Sequence, residues 1–445
     1  MIHCVFCLLT IENLSGIIQK AGDGKMFLDK VQSKKSRAYL LIFLGWLVYA
    51  TSYLGKVNYS ANITQIIDFY GVTKAQAGSV PSFFFFAYGI GQVVNGLLCK
   101  KYNIKWMVFG SLIISATINL TIAVTTNFAI IKWLWMINGF VLSILWPTLI
   151  RMISESQPQK VLGVSSMVMG TTVATGTLVI YGLSSLFAAI DNFKLSFYTA
   201  GFAVILVAIV WLILYKKAVS DAKAERAQEE CSAEIKLSNT EEKLQGANEK
   251  KIFFTSIGIL CFCAIGVNLT KDGLTTWVPS ILKEEFSLSD SLSILLTLFL
   301  PVLAIFGNAF ALGIHKKIPD YVNHCVITFG VIAVLVLGII GSLTFELVLC
   351  MIIGLVVVNF LASSLNSLIT AIYPLFMRGK VNSGLFAGIL NGFCYLGSTL
   401  SSYGLGAIAD NFGWTAVFWT LIGFYILTFI AGGGYALLKH KLRVK

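Results

Sequence analysis

Apolar runs long enough to cross a bilayer recur twelve times along this chain of 445 residues, and no other feature limits its fold so sharply. A helix rises about 1.5 Å per residue, so about 20 apolar residues span the roughly 30 Å of hydrocarbon. Such runs lie near 38–64, 79–99, 105–126, 129–152, 163–189 and 195–215. A second set lies near 252–282, 290–314, 322–343, 346–373, 382–408 and 415–438. Composition agrees: 57% of residues are hydrophobic and 12% charged, where a soluble domain carries about 25% charge. The 39 glycines suit the close approach of membrane helices. The expectation is an all-α membrane protein with twelve transmembrane helices.

The net charge of +12 would suit nucleic acid. The basic residues, however, stand in short runs between the apolar segments, where they set topology. One side collects Lys34, Lys35 and Arg37, then Lys100, Lys101 and Lys105, then Arg151 and Lys160. It continues with Lys216, Lys217, Lys316, Lys317, Arg378 and Lys380, and closes with Lys439, Lys441, Arg443 and Lys445. The other side offers little beyond Lys74, Lys132, Lys194 and Lys283. The rich side reads as cytoplasmic in a multi-pass protein of the cell membrane. Both termini then lie inside, as an even number of spans requires. The chain divides into a cytoplasmic tail (1–37), a six-helix bundle (38–215), a cytoplasmic linker (216–250), a second six-helix bundle (251–438) and a short tail (439–445). The linker is rich in Lys, Glu and Ala and reads as solvated. The run from Val5 to Thr10 is too short for a secretory signal and lacks a basic region before it. Met26, ahead of the basic stretch from Lys30 to Arg37, is an alternative start.

Of nine cysteines, Cys261, Cys263, Cys325, Cys350 and Cys394 lie in apolar segments and read as small hydrophobes. Cys4 and Cys7 form an isolated C-x-x-C, two ligands where a structural zinc takes four. No disulfide framework, metal or cofactor is expected. The spans are read as free of histidine, and neither a P-loop nor another nucleotide motif is present. An enzyme is therefore not expected, and work by this chain must draw on a solute or ion gradient.

The first half recurs in the second. Lys100-Lys101 after span 2 matches Lys316-Lys317 after span 8. Trp146-Pro147 with Arg151 ends span 4, and Tyr373-Pro374 with Arg378 ends span 10. Asp191-Asn192-Phe193 follows span 5, and Asp410-Asn411-Phe412 follows span 11. Two pseudo-symmetric six-helix bundles of this kind form the major facilitator fold, in which a solute site near the midplane faces each side in turn.

An ionisable residue at a helix centre costs about 2.5–3.5 kcal/mol on insertion scales, so each one is a functional candidate. Lys56 lies in span 1, and Lys271 and Asp272 lie in span 7. The repeat places Lys56 and Lys271 at equivalent points, each about 18 Å along the helix from Asp68 or Lys283. A lysine stem of about 6 Å does not reach the surface from there. The expectation is a pair of ammonium groups facing one cavity from opposite halves, with a small anion between them to relieve their repulsion. The alternative is that each lysine pairs with a neighbouring acid and fixes packing. Asp272 offers that to Lys271, although adjacent helical residues point about 100° apart. Tyr49, Tyr53 and Lys56 share one face, as do Tyr88 and Gln92 in span 2. Trp146 and Asn268 join them as candidate solute contacts. Thr171, Thr172 and Thr175 in span 5 and Asn359, Ser363, Ser364, Asn366 and Ser367 in span 10 either line a pathway or tie helices together.

The stretch Tyr53-Leu54-Gly55-Lys56-Val57-Asn58-Tyr59 resembles a span-1 motif of the organophosphate:phosphate antiporters of the major facilitator superfamily, the glycerol-3-phosphate and hexose-phosphate transporters. Ala87-Tyr88-Gly89, Trp146-Pro147, the run Gly273 to Lys283 with Trp277 and Pro279, Gly392 to Gly397, and Phe412-Gly413-Trp414 are similar to that family too. The resemblance implies an anion clamp by two basic residues, at Lys56 and Lys271, where the family has arginines. Lysine keeps the charge but lacks the bidentate fork. The family's span-2 lysine is Gln92 here, its span-5 histidine is Thr172, and Cys99 stands near the place of its loop acid. Tyr49, Tyr53, Tyr88 and Tyr395 match the family's cavity positions. Together with the lysine pair, the resemblance implies a secondary transporter, acting as a monomer on a small organic anion, with an organophosphate or sugar phosphate favoured. A proton-coupled carboxylate symporter with Asp272 as the coupling residue, and a transporter-like solute sensor, are the alternatives.

Overall fold

The computed structural model describes residues 24–98, 101–230, 247–376 and 383–443. Cys4, Cys7, Cys99, Lys100, Arg378, Lys380 and Lys445 lie outside these, as does the middle of the linker. The described residues are almost wholly helical. The first half comprises α1 (Gly24–Ala61), α2 (Lys74–Leu98) and α3 (Ile104–Val124). It continues with α4 (Phe128–Leu142 and Leu145–Ser156), α5 (Gln159–Gly170 and Thr172–Ala188) and α6 (Lys194–Glu230). The second half opens with α7 (Ala247–Phe286) and the segmented α8 (Asp290–Thr297, Phe299–Ala304 and Gly307–Lys317). It goes on through α9 (Tyr321–Thr344) and α10 (Val348–Ser367, prolonged to Phe376). A last helical tract runs Ser383–Arg443.

That tract has 61 residues, which would measure about 90 Å as one helix, three times the hydrocarbon thickness. It breaks at Gly413, where φ is 76°, a left-handed value glycine adopts without a Cβ penalty. The two pieces, 383–412 and 414–443, are α11 and α12. Ten described helices are individually long and apolar enough to span. The bent α8, with 45° between its pieces, and the division at Gly413 complete twelve. The linker ends are helical, since α6 continues to Glu230 and α7 begins at Ala247.

Prolines accompany three of the interruptions, although Pro81 and Pro279 lie inside continuous helices. Proline lacks an N–H and its ring clashes with the carbonyl four residues earlier. In α4 the helix breaks at Ser143-Ile144, one turn before Pro147. At the matching point of α10 a π-helical turn, Leu368–Ile372, accommodates Pro374. Pro301 lies in the short middle piece of α8. The halves thus share the same weak point in spans 4 and 10, with different local solutions.

Within the first half, α1 packs on α5 and α6, and α2 on α4; within the second, α7 packs on α10 and α11, and α9 on α10 and α12. The halves meet along two seams, α2 with α11 and α5 with α8. Ile213, Phe254, Val334 and Leu437 are more than two-thirds exposed, as lipid-facing side chains should be. Polar contacts between the halves gather at the end of the bundle away from the termini, the far end. There Lys283 bonds Asp68 at 2.6 Å and Asp290 at 2.9 Å. Lys74 pairs with Glu284 at 3.0 Å. Asp410 accepts the backbone N–H groups of Lys74 (3.0 Å) and Ala75 (2.7 Å), so it caps α2 from the opposite half. Close approach is built in: a Cβ at Gly78 would lie 2.1 Å from the Ser402 carbonyl oxygen.

Candidate functional site

The first half supplies an aromatic cage around one ammonium. Lys56 is buried, 8% exposed, and its Nζ lies 4.2 Å from the Tyr88 ring centre and 4.7 Å from that of Tyr53. Phe84 and Tyr395 stand at 5.8 Å each. Tyr395 comes from α11, so the cage crosses the seam between the halves. Ring faces are electron-rich and stabilise a cation by about 0.5–2 kcal/mol each. Tyr49 reaches the Tyr88 hydroxyl at 3.4 Å and packs on Trp146 with ring centres 4.8 Å apart. Among the described residues no carboxylate comes within ion-pair distance of Lys56; its close polar partner is the Tyr53 hydroxyl at 3.4 Å.

Local sequence explains why Lys56 sits where it does. The Gly55 carbonyl accepts the side-chain amides of Asn138 (2.8 Å) and Asn119 (3.3 Å), and Asn58 donates to Asn119 at 2.8 Å. These bonds hold α1 against α3 and α4 on the side away from the cage. They could form only where glycine lets Asn119 approach, since a Cβ on Gly55 would meet its Nδ2 at 2.8 Å.

The second half supplies a different arrangement. Lys271 is ion-paired with its neighbour Asp272 at 2.9 Å. The angular separation of adjacent helical residues does not prevent this, because the long lysine stem bends back. The other carboxylate oxygen accepts the Ser398 hydroxyl at 2.5 Å, and Ser398 accepts the Asn268 amide at 3.0 Å. Asp272 lies within electrostatic reach of Lys56, and Lys56 within reach of Lys271. The two lysines therefore share one electrostatic environment, but they are not equivalent: one is caged by rings and the other held by a carboxylate.

Not every candidate joins this group. The Thr172 hydroxyl is fully buried and donates to the Met169 carbonyl of its own helix at 2.6 Å. Gln92 stands one turn beyond Tyr88 and accepts the amide of Asn391 across the seam at 3.4 Å. Asn359 donates to the Leu300 carbonyl and ties α10 to α8. Sequence reasoning missed Ser398, Asn391 and Phe84, none of which carries a charge or a motif. It also missed His324, which lies in the first turn of α9 and is fully buried, so the spans are not free of histidine. The five described free cysteines include no bonded pair.

Comparison with known proteins extends this picture. The family model described as Major Facilitator Superfamily matches residues 45–386. A protein of Chlamydia trachomatis described as a probable hexose phosphate transport protein is 20% identical over 93% of this chain and 93% of its own. A probable sulfoacetate transporter, SauU, of Cupriavidus necator is 23% identical over 78% of this chain and 79% of its own. Among solved structures, a bacterial homologue of the human lysosomal transporter Spinster, inward-facing and occupied, superposes with a TM-score of 0.69. That match has 13% identity and covers 91% of this chain and 97% of the other. With twelve spans in two bundles and a family match over most of its length, the chain belongs to the Major Facilitator Superfamily and is a multi-pass membrane transporter, not an enzyme.

Proposed function

We propose that this protein is a secondary active transporter of a small organic anion, with a sugar phosphate or other organophosphate favoured, and that Lys56 and Lys271 form its anion clamp. The observation that supports this reading is one ammonium group from each half, Lys56 buried and Lys271 about one-quarter exposed, within electrostatic reach of each other beside the seam between the halves. An anion held there gains attraction from both sides and draws the halves together, so solute binding favours passage between the two open states. The named activity of the Chlamydia trachomatis relative supports the phosphate ester. The named substrate of the Cupriavidus necator relative keeps a sulfonate as the second choice, and lysine in place of a bidentate arginine suits it.

The positive loops support cytoplasmic termini. In that orientation the ion pairs and the Asp410 cap at the far end hold the extracellular side together. Tyr49, Tyr53, Tyr88, Trp146, Gln92, Asn268 and Tyr395 are the remaining solute-pathway candidates, of which Tyr53, Tyr88 and Tyr395 stand against the Lys56 ammonium; Thr172, bonded within its own helix, is not among them. A site formed within one chain is consistent with a working monomer.

Uptake of labelled glucose 6-phosphate into proteoliposomes preloaded with phosphate tests the reading. Lys56→Gln and Lys271→Gln should each abolish uptake without loss of protein, and Lys→Arg at either position should retain more activity than Lys→Gln. Normal uptake by the double Gln variant would end the clamp proposal.

A further inference from the structure

The clamp contains a counter-charge that its simplest form does not need. We propose that Asp272 sets the central site to one net positive charge, so that the protein selects singly charged over doubly charged anions. This rests on the anion-site reading above.

The hydrogen bonds give Asp272 its charge. Asn268 donates its amide to Ser398 Oγ at 3.0 Å. The Ser398 hydroxyl has two acceptors in reach, one Asp272 oxygen at 2.5 Å and the Cys394 carbonyl at 3.3 Å, and the shorter contact directs its proton to the carboxylate. The Lys271 ammonium donates to the other oxygen at 2.9 Å. Both oxygens thus accept from donors that come from outside the carboxyl group, an arrangement made for a carboxylate and not for a carboxylic acid. Lys56 and Lys271 contribute two positive charges and Asp272 one negative charge. The titratable groups that face Asp272 are Lys271 on its own helix, Lys56 from α1, Tyr181 from α5, and Cys394 and Tyr395 from α11. Tyrosine and cysteine are neutral, and lysine charged, between about pH 5 and 8. A single negative charge on the solute therefore balances the site, and a second one is left uncompensated between the halves.

A phosphate monoester changes from one to two negative charges near pH 6, whereas a sulfate ester of the same sugar keeps one. Binding of glucose 6-phosphate and glucose 6-sulfate to the purified full-length protein is measured by calorimetry from pH 5 to pH 8. The phosphate should bind about tenfold more weakly at pH 8 than at pH 5, because stripping water from a second charge that has no counter-cation costs more than its attraction to a site of net charge +1 returns. The sulfate should bind equally throughout. Asp272→Asn should remove or reverse the weakening for the phosphate. Equal or tighter phosphate binding at pH 8 in the wild-type protein overturns the proposal without needing the variant, as does a wild-type profile in Asp272→Asn. Failure of both esters to bind at any pH overturns the sugar-phosphate reading itself, and this inference with it.

Discussion

Asp410→Ala should loosen the far end of the transporter by an amount that can be worked from its contacts. The carboxylate satisfies two backbone N–H groups at the start of α2, at 3.0 and 2.7 Å. Loss of a helix cap to alanine costs about 1 kcal/mol. Loss of a negative charge at a helix N-terminus costs about 0.5 kcal/mol more. The Lys74 ammonium at 3.9 Å, about one-fifth exposed, adds about 0.3 kcal/mol once solvent screening is allowed for. Because cap and helix belong to different halves, the whole sum of about 2 kcal/mol bears on the equilibrium between the far-end-closed and far-end-open states. That corresponds to about a 30-fold shift in population. Spin labels on Asn411 and on the loop before α2, read by pulsed dipolar spectroscopy, should show a longer distance growing in. Asp191 is the repeat equivalent of Asp410, but its side chain is exposed and its φ is 50°. Asp191→Asn should leave the distribution unchanged, since surface changes lie within about 0.5 kcal/mol. An unaltered distance distribution in Asp410→Ala would refute the idea that this cap holds the far end shut.

Gly78→Ala should open the same end more strongly, because its Cβ would lie 2.1 Å from the Ser402 carbonyl oxygen; the helix itself gains about 1 kcal/mol from alanine, so native-like yield with altered spin-label distances is the expected pair of results. Tyr88→Phe should keep most transport, since a ring face remains 4.2 Å from the Lys56 ammonium, whereas Tyr88→Leu should lose about five- to thirtyfold at about 1–2 kcal/mol for a desolvated cation–π contact; equal uptake by the two variants would remove the cage from the site. Asp320 caps α9 through Asn323 and is ion-paired with Lys439. Burial raises its pKa, but the Lys439 ammonium and the backbone N–H groups of Asn323 and Val322 outweigh that and hold it below the usual carboxylate range. A depressed folded value stabilises at pH above the unfolded pKa and is lost as pH falls through the folded one. Asp320→Ala should therefore cost about 1 kcal/mol at pH 7, and the cost should shrink progressively as pH is lowered below the ordinary carboxylate range, read by thermal unfolding in detergent.

The apolar runs determine twelve helices on their own, because a chain in hydrocarbon must satisfy its backbone within each segment and helix length follows from membrane thickness. The repeat of basic loops and prolines likewise announces two related bundles, and the isolation of Lys56 and Lys271 in apolar sequence marks them as unusual. None of this reveals which neighbours the lysines meet. Tyr395 closes the Lys56 cage from a helix more than three hundred residues away, and Ser398 reaches Asp272 across a helix seam. The same holds for Asp191 and Asp410, matched in sequence and unlike in role. Intrahelical spacing carries information over one or two turns, while the contacts that distinguish the two lysines, and that latch the halves together, depend on how whole helices are set against each other. Those settings come from interdigitated side chains and glycine notches summed over two bundles, so only the tertiary structure could decide them.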